Sequence, residues 1–449
     1  MSNLEGSIIN VTRLIDEGKV GSFQVIAIIL CAIVAFLDGV DSQAIAVAAP
    51  ILVEKLGLTR TAFGPIFSAG LLGAMIGALT FGPLGDRFGR KRMLVLAAVV
   101  FGIFTLATPW VYSFGSLLAL RFAAGIGLGG ATPCFIALAS EFAPGRRRAM
   151  IASLIWAAFP FGISIGGFLN SFILTHYGWQ AIFWFGGATP LIAAVALMIW
   201  LPESLRFLIA QGRDVASISK IVAKINPYLP ANAHFVSDED RIEGVPLKNL
   251  FANGRAGLTF LLWVPFFTAF GLLALTVVWT PVLLGENGIA PAQASFALGI
   301  HGLGALVGMA LAGRLMERFG ALAVLTPALV LGSGASCVLG YSATSVTSIS
   351  IVLALIGLLV GMGASGSIAL AALTYPTAMR STGIGWAMGI GRFGQVLAPL
   401  LASAAIASGW NNTQLFLVIG TAPLFGAIAI LVLCSRRPVT AASEAIETI

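Results

Sequence analysis

Apolar residues run through this chain in long unbroken stretches separated by short polar breaks, unlike the one-sided stripe of a water-soluble helix. Twelve stretches are long enough to cross a bilayer at about 1.5 Å per residue. They lie at roughly 23–49, 62–84, 93–112, 116–140, 150–172, 179–201, 257–284, 292–316, 321–341, 346–372, 383–408 and 413–434, and are numbered here as spans 1 to 12. Each reads as a helix, because only internal hydrogen bonds satisfy a backbone in lipid. A polar stretch at 202–256, which includes Asp238–Glu239–Asp240–Arg241, splits the series into two sets of six. The pattern therefore predicts an all-α membrane protein. Its parts are an N-terminal segment (1–22), a six-helix bundle (23–201), a central loop (202–256), a second six-helix bundle (257–434) and a tail (435–449).

Composition agrees with the pattern. The 449 residues are 58% hydrophobic and 10% charged, with a mean hydropathy of +0.98, whereas a soluble domain carries about a quarter charged residues. The net charge of +7 does not point to nucleic acid, because the basic residues sit in short breaks between spans. Those breaks orient the chain. Arg87, Arg90, Lys91 and Arg92 follow span 2, Arg146–Arg148 follow span 4, and Arg314 and Arg318 follow span 8. Arg380 follows span 10, Arg436 and Arg437 follow span 12, and the central loop adds seven more basic residues. The opposite side holds Lys55 and Arg60. By the positive-inside rule, both termini and the central loop are expected in the cytoplasm. Residues before Phe23 are polar and lack a short apolar core with a cleavage site, so no signal peptide is expected. Cys31, Cys134, Cys337 and Cys434 show no CxxC spacing and read as small buried residues, neither disulfides nor metal ligands.

Span 1 carries the unusual chemistry. Phe36–Leu37–Asp38–Gly39–Val40–Asp41–Ser42–Gln43 places two carboxylates in an apolar helix, each costing about 2.5–3.5 kcal/mol to insert. Three residues apart, they share one helix face. Two close carboxylates in a low dielectric resist ionising together, so one of them is expected to hold a proton near neutral pH. The alternative is a wet interhelical cavity in which they only bond neighbouring helices.

The two halves also repeat. Gly82–Pro83–Leu84–Gly85–Asp86–Arg87–Phe88–Gly89 closes span 2, and Gly313–Arg314–Leu315–Met316–Glu317–Arg318–Phe319–Gly320 closes span 8, in register 231 residues later. Two six-helix halves with matching loops imply a rocker about a central site. The second copy has Ala321–Leu322–Ala323 where the first has Arg90–Lys91–Arg92, so any gate built from the pair is asymmetric.

These residues carry a resemblance. Gly85–Asp86–Arg87–Phe88–Gly89–Arg90–Lys91 resembles the signature between helices two and three of the major facilitator superfamily. Arg121 with Gly125, Gly127 and Gly129 resembles its RxxxGxGxG motif in helix four, and Pro202–Glu203–Ser204 resembles the end of its helix six. Asp38–Gly39–Val40–Asp41 resembles the DGxD motif of the aromatic acid:proton symporter family. Tyr375–Gly383 with Gly389–Arg392 resembles that family's segment from helix ten into helix eleven, and the N-terminal Ile15–Asp16–Glu17 followed by Phe23–Gln24 also resembles the family. The resemblance implies uptake of a small aromatic carboxylate with a proton across a bacterial inner membrane. The chain is expected to function as a monomer in the bilayer and to need no cofactor. Sugar porters share the first signature and the Pro-Glu-Ser end of helix six, which leaves a sugar, polyol or other organic acid as the alternative. Phe159–Pro160–Phe161–Gly162 lacks the helix-five motif of drug antiporters. No nucleophile–base pair or metal spacing marks the chain as an enzyme.

The remaining polar groups complete the candidate site. Arg121 lies about five residues into span 4 from the outer side, and Asp41 and Asp38 about eight and eleven residues into span 1. A lone buried charge is very costly. Arg121 is therefore expected to pair with Asp38 or Asp41, and protonation to break the pair and bias the conformation. A static pair is the alternative. Arg392 lies near the midplane of span 11, while Glu286 and Glu317 lie at loop ends. Its planar fork suits a substrate carboxylate. It could equally bond the carbonyls of a broken helix, or pair with Asp38 or Asp41. His301, near the midplane of span 8, reads as a bond between helices, a substrate contact or a proton relay. Trp156, Phe159, Phe270 and Trp386 are candidates to hold a ring, with Phe266, Phe267, Trp279 and Phe393 behind them and Gln43 and Gln395 as weaker polar candidates. Packing is the alternative for every aromatic. Gly85, Asp86, Arg87 and Arg90, with Glu317 and Arg318, lie too near the cytoplasm for substrate and read as an inner gate, or as topology signals alone.

Overall fold

In the computed structural model the residues described are 8–18, 20–211, 215–225, 234–236, 247–252, 254–341, 345–375 and 379–435. Asp238–Arg241, Arg213, Arg436, Arg437 and residues 376–378 of the Tyr375–Gly383 motif lie outside them. Among the described residues twelve helices are long and apolar enough to cross a membrane. They overlap all twelve predicted spans. Span 1 is Ser22–Lys55, span 2 Arg60–Phe88, span 3 Arg90–Trp110, span 4 Phe114–Glu141, span 5 Gly145–Tyr177 and span 6 Trp179–Trp200. Span 7 is Ala256–Glu286, span 8 Pro291–Phe319, span 9 Ala321–Leu339, span 10 Val346–Thr374, span 11 Thr382–Ala407 and span 12 Asn412–Ser435.

Several spans outrun their apolar stretch because polar residues form the ends. Ser113 accepts from the Ser116 N–H at the start of span 4, and Asn411 from the Gln414 N–H at the start of span 12; such caps stabilise by about 1 kcal/mol each. Gly89, Gly178 and Gly320 join consecutive spans at φ of 109°, 81° and 83°, values that a side chain resists. Gly89 and Gly320 are the closing glycines of the repeated octapeptide, so the repeat is a repeat of helix termination. Span 1 is interrupted: its first helix ends at Asp41 and a second begins at Ala44.

Contacts divide the chain into two compact units, Met1–Ala44 with Ala69–Glu243, and Ile45–Ser68 with Gly244–Ile449. The first unit packs spans 2, 3 and 4 through the glycines of the RxxxGxGxG stretch. Gly125 and Gly129 meet the span 2 backbone at Gly70 and Ala74, Gly127 meets span 3 at Ala97 and Phe101, and Gly130 lies under the Phe81 ring. Gly73 and Gly77 present a reciprocal groove to Phe122 and Ile126. Small residues at spacing four let helix backbones touch in lipid. Span 1 meets span 5 in the same way, Gly39 against Phe159 and Gly162, and Gly162 against Phe36. Strand Ile8–Asn10 pairs in parallel with His234–Val236; helix Val11–Glu17 packs on the first of these strands and on span 5, and helix Val215–Ile225 on the second, on helix Leu205–Ala210 and on span 1.

The second unit packs span 8 on span 10 by the same device. Gly304 and Gly308 touch Ala354 and Leu358, and Gly357 touches His301. Gly304 and Gly308 stand 231 residues after Gly73 and Gly77, the offset of the octapeptide. This unit also takes in the junction of spans 1 and 2. Arg60 pairs with Glu286 at 2.9 Å, and Asn412 donates to the same carboxylate. The Ser403 hydroxyl donates to the Thr61 carbonyl at 2.6 Å, and Ser68 to that of Val396 at 2.7 Å. Phe63 and Phe67 meet the buried Trp279 edge-on at 6.2 and 6.3 Å. Leu79, Ile192, Ile199 and Leu373 are each more than 60% exposed, the outward apolar surface that lipid covers. Cys31 and Cys134 are buried as expected, whereas Cys337 and Cys434 are half-buried; all four are unbridged.

The glycine contacts give a direct test. A methyl at Gly129 would overlap Ala74, and overpacking of this kind costs about 1–3 kcal/mol. Gly129→Ala is expected to lower the apparent Tm of the purified protein by several degrees. Gly334→Ala, whose methyl meets nothing within 4 Å, is expected to leave it unchanged or raise it, since Ala is the better helix former.

Candidate functional site

Within the first unit, the turn at Ser42–Gln43 leaves Asp41 at the end of a helix inside the bundle. Asp41 is 5% exposed, and its Oδ1 accepts no hydrogen bond. Gly186 of span 6 leaves room beside it: a Cβ there would stand 3.4 Å from Asp41 Oδ1 and 3.6 Å from Thr105 Cγ2. Arg121 is 4% exposed. Its Nη2 donates to the Thr108 hydroxyl, and its guanidinium carbon lies 5.3 Å from the Phe183 ring centroid, a cation–π arrangement that helps a buried charge. Arg121 and Asp41 act on each other electrostatically. Among the described residues no direct ion pair joins them, and Arg121 Nε and Thr105 Oγ1 also lack partners. The cluster thus holds an acid, a guanidinium and a hydroxyl, each with hydrogen-bonding capacity to spare.

The other motif acid behaves differently. Asp38 is half-buried and engaged in an interaction. It lines a cavity of about 10 Å³ with Val34, Leu37, Phe101 and Pro190, room for roughly one water. Gln43 is fully buried; its side-chain amide donates to the Ile163 carbonyl of span 5, and its Oε1 has no partner. Trp156 and Phe159 are half-buried on span 5, with the Phe159 carbonyl against Gly39.

The first unit also brings together the charges at the end of span 2. Arg90 binds Asp86 Oδ1 through Nη2 at 3.0 Å and Nε at 3.2 Å, and its Nη1 binds Glu141. Glu141, at the last turn of span 4, is 5% exposed. Glu203 accepts the backbone N–H groups of Lys91 and Ser204, each at 2.9 Å. A side chain at Gly89 would strike that carboxylate, so Gly89 answers both to its φ and to Glu203. Gly85 is buried and its amide oxygen accepts from Gly89. Arg87 is exposed over the Phe88 ring at 5.2 Å, and Arg318 repeats the contact on Phe319 at 5.2 Å. Glu317 is exposed.

In the second unit His301 is 1% exposed and its Nδ1 lies 3.0 Å from the Leu353 carbonyl. A carbonyl only accepts, so Nδ1 carries the proton and Nε2 is left as an acceptor. Phe270 stacks on Phe266 at 5.9 Å and lies against Gly391, where a Cβ would be 3.2 Å from its ring. The neighbouring Arg392 is half-buried and holds an interaction of its own. Gln395 is half-buried, and Trp386 and Phe393 are 45% and 48% exposed. Phe266 and Trp279 are fully enclosed by protein. Sequence reading missed Glu141, Thr105, Thr108, Phe183 and Gly186. Glu141 alone left a signal, as an acid closing an apolar stretch.

The Major Facilitator Superfamily profile matches residues 31–286 and 261–448. This chain belongs to the major facilitator superfamily. It is a multi-pass membrane transporter and not an enzyme. It is 34% identical to the 4-hydroxybenzoate transporter PcaK of Pseudomonas putida over 92% of this chain and 93% of the relative. It is 35% identical to the 3-(3-hydroxy-phenyl)propionate transporter of Escherichia coli strain K12, over 91% and 93%. Among solved structures, a D-xylose-proton symporter shares the fold, with a TM-score of 0.72 and 20% identity over 93% of this chain and 98% of that one.

The Arg90–Glu141 pair yields a stability test. Removing one partner of a buried pair costs about 3–5 kcal/mol, because the other charge stays buried. Arg90→Ala is expected to lower thermal stability sharply, and adding Glu141→Gln to recover part of the loss; melting of the single and double variants in detergent measures this.

Proposed function

We propose that this transporter imports a small aromatic carboxylate together with protons, by alternating access. It would do so in the bacterial inner membrane, with both termini cytoplasmic and as a monomer. The observation that carries the reading is the cargo named for its relatives. Beside the two above, a gallate transporter of Pseudomonas putida is 34% identical over 94% of each chain. The xylose symporter supports the fold alone.

The residues fit such a cycle. Asp41, buried and with an oxygen that lacks a donor, is the proton acceptor. Arg121 senses its charge, and Asp38 stands one turn away on the same face. Protonation of Asp41 removes its attraction to Arg121, which biases the bundle toward a second arrangement. Arg392 binds the substrate carboxylate by exchanging its present contact for a bidentate one. Phe270, seated at Gly391 beside it, offers a ring face. Trp156, Phe159, Trp386, Gln43, Gln395 and the Nε2 acceptor of His301 are the further candidates for contact with the ring and its hydroxyl groups. Gly85, Asp86, Arg87 and Arg90 form the inner gate with Glu141, and Glu317 and Arg318 form its weaker counterpart.

One proton with one monoanion is electroneutral, whereas a second proton would add about 2.3 kcal/mol of drive per 100 mV. Uptake of labelled 4-hydroxybenzoate into proteoliposomes under an imposed pH gradient, acid outside and without membrane potential, tests the reading. Accumulation that a protonophore abolishes is expected. Asp41→Asn should abolish gradient-driven accumulation, and Arg392→Gln should reduce anion uptake by about tenfold or more, the loss of a charged hydrogen bond. Uptake that ignores the gradient, or a labelled pentose carried in place of the acid, would overturn it.

A further inference from the structure

Ile15–Asp16–Glu17 and Phe23–Gln24 have no part in the cycle above, yet the fold brings both to one place. Asp16 Oδ1 accepts the Gly145 N–H at 2.7 Å and an Arg148 Nη2 hydrogen at 3.3 Å. Gly145 is the first residue of span 5, and its N–H is one of those a helix leaves without an internal partner. An anion is favoured there. Asp16 therefore caps a helix that begins 129 residues later. Gln24 holds the same turn from the other side: its Nε2 donates to the Phe142 carbonyl at 3.0 Å, while its Oε1 accepts the Gly21 N–H. Phe23 meets the Phe142 ring edge-on at 6.2 Å, and Lys224 lies over Phe23 at 5.3 Å. Asn10 caps the helix that carries Asp16, and Val11 and Ile15 of that helix are 3% and 5% exposed.

Two consequences reach the working residues. Val11, Thr12 and Ile15 line a cavity of about 10 Å³ together with Glu141, Arg148 and Arg206, so the N-terminal helix covers the buried end of the Arg90–Glu141 pair. Span 5, whose first turn Asp16 holds, interlocks with span 1 at Gly39, Gly162 and Gly166, beside Asp38 and Asp41. A slip of one residue along span 5 would drive side chains into those glycine contacts.

We propose that Asn10–Gly18 together with Gly21–Gln24 form a brace that fixes the start of span 5 and thereby its register on span 1. Asp16 and Gln24 are positioning residues for the transport step; in that last clause the proposal rests on the reading of the protein as an acid symporter. Asp16→Asn keeps an acceptor for the Gly145 N–H but loses the charge for Arg148, whereas Asp16→Ala loses both.

Hydrogen–deuterium exchange on the purified full-length protein, with no substrate present, tests the brace by itself. Amides from 142 to 150 are expected to exchange about tenfold faster in Asp16→Ala and by an intermediate factor in Asp16→Asn, with those of span 12 unchanged. In proteoliposomes the maximal rate of 4-hydroxybenzoate transport is expected to fall by about threefold or more with KM held within about twofold, because the segment touches no substrate. Unchanged exchange overturns the brace, and faster exchange with an unchanged maximal rate overturns its role in transport. If Asp16→Ala does not fold, Asp16→Asn and Arg148→Gln carry the same comparison. A wild-type protein that carries no aromatic acid removes the symporter reading while the exchange result still decides the brace.

Discussion

Charge taken out of water is the constraint on which this structure depends. In an apolar bundle an isolated ion is so costly that each one must find a partner, shed its charge or stay near the surface. Arg90 takes the first course, shared between exposed Asp86 and buried Glu141. Arg121 takes a mixed one, with the Thr108 hydroxyl, the Phe183 ring and the field of Asp41. Asp41 is left with the least support, an oxygen without a donor beside the gap at Gly186. A fully satisfied ion would be a fixed structural element. An ion that is only partly satisfied is free to respond to a proton. Of the two motif acids the more buried, Asp41, fits that description, which is the physical ground for the role proposed for it above.

Close helix packing makes that arrangement possible. Lipid offers no hydrophobic drive between helices, so backbones approach where side chains are absent. Gly125, Gly127 and Gly129 bring span 4 against spans 2 and 3, and the same span buries Arg121 toward its N-terminal end and Glu141 at its C-terminal end. Gly39 and Gly162 do the same for spans 1 and 5. The glycine stretch thus sets where the buried charges stand, and the repeat of the device at Gly304 and Gly308 shows that the second unit is built on the same plan.

Much of the fold was legible as a one-dimensional pattern. Apolar length gave twelve spans, because lipid thickness and helix rise leave little choice. The octapeptide repeat pointed to matching helix ends, and the positive φ of Gly89 and Gly320 is the physical content of that repeat. The break in span 1 after Asp41 was not legible, since Ser42 and Gln43 are tolerated inside helices. Nor could the sequence separate Asp38 from Asp41, which differ in how completely the bundle encloses each: Asp41 is 5% exposed with an unpartnered oxygen, whereas Asp38 is half-buried and engaged. The aromatic candidates divide for the same reason: Trp279 and Phe266 are enclosed by protein, while Trp386 and Phe393 are not.

By itself, then, the sequence determined what the solvent enforces: the membrane environment, the number of spans, the two-fold repeat and the presence of acids and guanidinium groups where lipid disfavours them. Tertiary structure alone decided the partners. Arg90 meets Glu141 across 51 residues and Asp16 meets Gly145 across 129, and no local pattern encodes such distances. Hydrophobic periodicity reports burial, which is a property of one helix. Pairing depends on the rotation and register of two helices, and here those are set by glycine contacts at the level of single ångströms.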